Sequence, residues 1–188
     1  MRGPIVLFAS WALHDAEEAL TFPASADYVA DLTGIDALRM TTKQSMAAIG
    51  LVGAALAAAG IRGARTRGDS RFYRSSVAGL EAHVFTHLLS AAVARRYTAG
   101  VLTAVPVMWP GAAYARRELA ALGKPLTAAD WRCGAPTMGA VALAAHVLVR
   151  IDWLSLLRSR RSRPRRGGTY SARLESSPGR TMPRRPSR

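Results

Sequence analysis

Five stretches of this chain are long and predominantly apolar: residues 4–22, 44–61, 76–94, 98–115 and 135–157. Each is close to the roughly 20 residues that an α-helix needs to cross a hydrocarbon core. Inside a bilayer the backbone must satisfy its own hydrogen bonds, which leaves helices or closed barrels. Segments of this length and composition select helices. The second stretch, AAIGLVGAALAAAG, is uncharged and rich in small residues, which suits close packing between membrane helices. A soluble Ala-rich bundle would need polar faces on the second and fourth stretches, and both lack them. The expectation is therefore an all-α, polytopic membrane bundle of about five transmembrane helices, with loops at 23–43, 62–75 and 116–134.

Charge is sorted along the sequence in a way that fits this reading. The formal net charge is +14, yet eleven of the 26 basic residues and only one acid, Glu175, lie between Arg158 and Arg188. The body, residues 1–157, is thus nearly neutral, and the Arg-rich segment 158–188 has too few apolar residues to fold. We expect that segment to be a disordered, solvated anchor beside a membrane, able to meet anionic lipid headgroups. No aromatic or glycine pattern in it supports nucleic-acid binding. The fifth stretch ends in Arg150, Asp152 and Trp153, an interfacial pattern. Cys133 is the only cysteine, which excludes an intrachain disulfide and a cysteine-based zinc cluster. A cleaved export signal at the N-terminus is disfavoured, because His14, Asp15, Glu17 and Glu18 follow so short an apolar run. Basic loops on one side and the arginine-rich segment on the other pull the orientation in opposite directions.

The candidate chemistry is buried in the apolar stretches. All four histidines, His14, His83, His87 and His146, fall inside them. Asp15, Glu17 and Glu18 share the first. Ionisable groups at mid-bilayer cost about 2.5–3.5 kcal/mol each on insertion scales and persist mainly when paired or functional. His14 with Glu17 and Glu18 is i, i+3 and i, i+4, so these side chains share one helix face. His83 and His87 are i, i+4, the spacing that lets two imidazoles on one helix share a metal. At about 1.5 Å per residue, His14 lies about 15 Å into its stretch, His87 and His146 about 16 Å, and His83 about 10 Å. The first, third and fifth helices run the same way in an alternating topology, so these groups meet at overlapping depth.

These residues define a candidate site. His14, Glu18, His83 and His87 are candidate ligands for a divalent transition metal, and Glu17 or Glu18 is a candidate ligand or general base. His146 is a candidate sixth member. Asp15 points away from Glu17, and Glu81, near a span end, is expected to snorkel. Three functions fit: a metal-dependent membrane enzyme acting on a lipid-soluble substrate, a proton- or cation-coupled carrier, or a structural membrane subunit with a polar helix clamp. A homo-oligomer would make the carrier large enough.

The run Trp11-Ala12-Leu13-His14-Asp15-Ala16-Glu17-Glu18 resembles the signature of the HXXEE family of small bacterial membrane proteins. Two later patterns are similar to that family's as well. His83-Val84-Phe85-Thr86-His87 matches N-x-x-x-H with histidine in place of asparagine. Tyr97-Thr98-Ala99-Gly100-Val101-Leu102-Thr103 matches Y-x-P-G-x-x-T with alanine in place of proline. The three motifs stand in family order over roughly residues 5–110. The resemblance implies a bacterial cell-membrane setting but no reaction. Histidine at position 83 strengthens the case for a metal, and alanine at position 99 is expected to loosen the turn that opens the fourth stretch.

Overall fold

The computed structural model describes residues 1–151. The expected disordered segment 158–188, its headgroup contacts and the Asp152–Trp153 pair lie outside the described residues. Among those described there are helices and no strand. In chain order they are α1 (Gly3–Thr33), a 3-10 turn (Asp36–Leu38), α2 (Thr42–Arg65), α3 (Arg71–Ala94), α4 (Val101–Thr103), a π-helical turn (Ala104–Met108), α5 (Trp109–Ala121) and α6 (Ala128–Leu148).

Local chemistry sets these boundaries. α2 opens on a capping box in which the Thr41 hydroxyl accepts from the Gln44 amide and Gln44 Oε1 accepts from the Thr41 amide. Ser70 caps α3, and a second capping box, Thr127 with Asp130, opens α6. Gly34 ends α1 in the left-handed region at φ 70°, donating its N–H to the Ala30 carbonyl.

Three expected loops are shorter than the sequence suggests. α1 runs on through Pro23 to Thr33, although an interior proline removes one backbone bond and crowds the preceding turn. α3 begins at Arg71, and α5 and α6 leave only 122–127 between them. The fourth stretch is helical but not uniform. α4, the π turn and α5 form one rod over 101–121, and Pro106, which has no N–H to donate, lies inside the π turn.

The buried face of α1 reads Leu7, Ser10, Trp11, His14 and Asp15, the three-and-four spacing of one helical stripe. Leu7 and Trp11 join Leu56, Tyr73, Val77, Leu80, Val84, Met108 and Leu119 in the main core. A smaller cluster of Ala26, Met40, Ala48 and Ala145 lies toward the other end of α1. Small residues let α3 and α6 touch. A Cβ on Gly79 would sit 2.6 Å from the Gly134 carbonyl oxygen, so neither position admits a side chain without separating the helices.

The outer faces stay apolar. Ile5, Leu20, Leu32, Met46, Phe85, Val93, Leu102 and Leu143 are all exposed. By length and composition, α2 and α3 are each apolar enough to cross a membrane.

Candidate metal centre

Each histidine of the cluster reaches it from a fixed base. His14 stands on α1, and His83 and His87 stand one turn apart on α3, with the loop 95–100 and α4 closing over them. His14 is fully buried and His87 nearly so, while His83 and Glu18 are half-buried. His87 Nε2 lies 3.1 Å from His14 Nε2, 3.0 Å from His83 Nε2 and 3.6 Å from Glu18 Oε1. One ligand atom from each of these four residues falls within 4.8 Å of all the others. The geometry therefore brings together His14, Glu18, His83 and His87.

The partners on the far side of each ring fix the tautomers. His87 Nδ1 is 2.9 Å from the Ala99 carbonyl oxygen, which can only accept, so Nδ1 carries the proton. Thr103 spends its hydroxyl proton on Glu17 Oε2 at 2.5 Å and must accept from His14 Nδ1 at 2.9 Å. Thr86 likewise donates to the His83 carbonyl oxygen at 2.7 Å and accepts from His83 Nδ1 at 2.8 Å. All three neutral imidazoles therefore turn bare Nε2 lone pairs toward one another and toward a carboxylate oxygen. The Nε2 lone pair of His87 meets those of His14 and His83 at 3.1 and 3.0 Å with no proton to share, so the arrangement repels itself unless a cation sits among them. A tetrahedral zinc-like ion with bonds of about 2.0–2.1 Å separates its ligands by about 3.3 Å. The observed spacings straddle that value. A carbonyl or hydroxyl holding the second ring nitrogen is also how metal-ligating histidines are usually oriented.

The remaining expected residues fall around this cluster. Both oxygens of Glu17 are already used: Oε1 accepts from the Tyr97 hydroxyl at 2.5 Å and the Leu102 amide at 3.4 Å, Oε2 from the Thr103 amide at 2.9 Å as well as its hydroxyl. Of the two carboxylates, Glu18 is the one that faces the imidazoles. His146 lies beyond the ligand group, its Nδ1 3.1 Å from Met40 Sδ and its ring stacked on Phe22 at 5.3 Å. It shares with Asp15, Glu18 and His83 a cavity of about 230 Å³. Asp15 is buried against that cavity. Glu81 does not snorkel: it is buried, accepting from Arg116 Nε at 2.9 Å and Trp109 Nε1 at 3.4 Å, because α5 brings those donors to it.

Sequence reasoning missed the scaffold behind the ligands. Thr103, Thr86 and the Ala99 carbonyl hold the rings. Gly100, at φ 80°, is where a Cβ would lie 2.5 Å from His87 Cε1 and 2.8 Å from His14 Cε1. The turn at Ala99 is not loose. Its N–H, which a proline would lack, donates to Ser25 Oγ at 3.0 Å and ties the turn to α1. The signal was present in the spacing of Tyr97, Gly100 and Thr103, whose two hydroxyl residues both grip Glu17.

Away from the histidine cluster, buried Asp130 pins the start of α6 to α3. It accepts from Arg74 at 2.7 Å and from the Thr127 amide and hydroxyl. Burial raises its carboxyl, but the bonds from Arg74 and Thr127 outweigh this and hold it below the usual carboxylate range.

These features define a helical-bundle protein with an inward-facing cluster of histidine and glutamate on two of its helices. The family model described as "Protein of unknown function with HXXEE motif" matches residues 5–115, and the chain belongs to that family, with His14, Glu17 and Glu18 as the motif residues. No curated protein and no solved structure matches the chain.

Proposed function

We propose that the protein is an integral membrane protein of about five spans that holds a divalent transition metal at His14, Glu18, His83 and His87 and acts on a lipid-soluble substrate. The observation that carries the metal is the convergence of three Nε2 lone pairs and a carboxylate oxygen, each ring held by an acceptor on its other nitrogen. A structural clamp needs complementary donors and acceptors, whereas this cluster presents acceptors to acceptors. Mixed imidazole and carboxylate ligands suit zinc, iron or manganese. Exposed apolar side chains around the bundle support the membrane setting, as do the two helices long enough to span.

The bound ion would act as a Lewis acid toward substrate. Glu17 acts as a positioning residue: it orients Thr103, which orients His14. Access for an apolar substrate is supported by a groove of about 970 Å³ that reaches Glu18, His83 and His87 between apolar walls.

Protein purified in detergent is expected to hold metal near stoichiometrically, as read by elemental analysis. His87→Ala and Glu18→Ala should each empty the site, while His146→Ala should leave it filled. Full retention of metal in both ligand variants would overturn the assignment. Proton release on cation addition without tight metal would mark a carrier instead, and neither signal would leave the clamp.

A further inference from the structure

We propose that the groove of about 970 Å³ binds a single-chain lipid with an anionic headgroup, the head held at Arg96 and Arg150 and the chain running toward His83 and His87. This deepens the reading above by naming the substrate class, and it takes the groove as the substrate's route to the cluster.

The walls come from α1, α3 and α6, with Leu20, Val29, Leu32, Val93, Leu143 and Val147 among them. Three charged side chains line it: Glu18, Arg96 and Arg150. They are segregated by position. Glu18 belongs to the metal cluster. Arg96 stands two residues beyond the end of α3, and its guanidinium lies 4.4 Å from the centre of the Tyr28 ring near the far end of α1. Arg150 follows α6 and donates to the His146 and Leu38 carbonyl oxygens. Leu38 lies just beyond α1, so both arginines stand at the same end of the groove, beyond the end of α3 that carries His83 and His87.

Nearby Arg39 is saturated by Asp27, Asp31 and Asp36 at 3.5, 2.5 and 3.2 Å. Among the described residues, neither Arg96 nor Arg150 meets a carboxylate. A neutral lipid would leave this pair without purpose, and a small soluble anion would leave the apolar walls wet. A chain with an acidic head satisfies both, since guanidinium forks match carboxylate and phosphate oxygens.

The test titrates purified full-length protein in a neutral detergent with palmitate, hexadecanol and acetate, with metal content read on the same samples. Palmitate is expected to bind saturably and roughly tenfold or more tighter than hexadecanol, as one or two charge-assisted contacts imply. The double variant Arg96→Gln with Arg150→Gln should erase that preference. Ser90→Trp, at an exposed position lining the groove, should weaken both long-chain ligands alike. Both variants should keep their metal. Equal affinity for palmitate and hexadecanol in the unaltered protein, palmitate binding undiminished in either variant, or displacement of palmitate by acetate would overturn the proposal. Palmitate bound by a protein that holds no metal would sink the metal reading and leave the lipid site standing. Metal retained without palmitate binding would do the reverse.

Discussion

Thr103 serves two masters through one hydroxyl: it gives its proton to Glu17 and takes one from His14 Nδ1. Thr103→Val keeps the shape and removes both bonds, freeing the His14 ring to rotate or change tautomer. Outer-shell partners of this kind typically contribute 10–100-fold to metal affinity, so a loss of about that size is expected in a competition titration with a chelating dye, with helix content by circular dichroism unchanged. Thr103→Ser should restore most of it. Affinity unchanged in the valine variant would mean that the tautomer is fixed by something else. At this scale the ligands themselves were legible. His14 and Glu18, and His83 and His87, stand at i, i+4, and buried ionisable groups in apolar stretches announce themselves by their cost. The acceptors behind them were not, because a threonine or a main-chain carbonyl carries no sign of what will face it across a helix pair. Gly100 illustrates the same limit. Its sequence context suggested a turn, yet its closeness to two imidazoles depends on where α4 comes to rest.

The helices were legible as elements and poorly bounded. Apolar length located all five expected stretches, but the ends were set by caps and packing that hydropathy ignores. Thr127 with Asp130 opens α6 within what reads by composition as a polar loop, and Asp130 then binds Arg74 at the start of α3. This one carboxylate therefore caps a helix and joins two. Because its folded-state carboxyl is held below the ordinary range, its contribution is fully present above that range and is lost as pH falls through the folded value. Asp130→Asn should destabilise the bundle by about 2 kcal/mol at neutral pH, the scale of a charge-assisted bond lost from a buried group. The measurement is thermal unfolding in detergent for both proteins from neutral to strongly acidic buffer. The gap between them should be widest near pH 7 and close in acid. A gap independent of pH would mean that Asp130 acts by shape and hydrogen bonding alone.

On the scale of the whole molecule, the question is whether the bundle stands across a bilayer, and α2 decides it most directly. This helix is uncharged through its middle and presents Met46, Leu51 and Ile61 outward. Its two ends carry the connections 34–41 and 66–70. Short loops join successive helices in alternation, so the 66–70 connection lies with the 122–127 loop, where Lys124 Nζ meets Asp69 at 2.7 Å. The end of α1 lies at the opposite pole with Asp36 and Arg39. If the bundle spans, the two poles face different compartments. In a Cys133→Ser background, Asp36→Cys and Arg71→Cys each place one thiol at an exposed position at one pole. A membrane-impermeant maleimide applied to intact cells should label one and spare the other, and permeabilisation should expose both. The labelled position also tells whether the basic pole, with Arg62, Arg65, Arg67 and Arg71, faces the cytoplasm, as an excess of arginine favours. Equal labelling of both thiols in intact cells would mean that α2 does not cross, and the apolar outer faces would then need a protein partner rather than lipid to cover them.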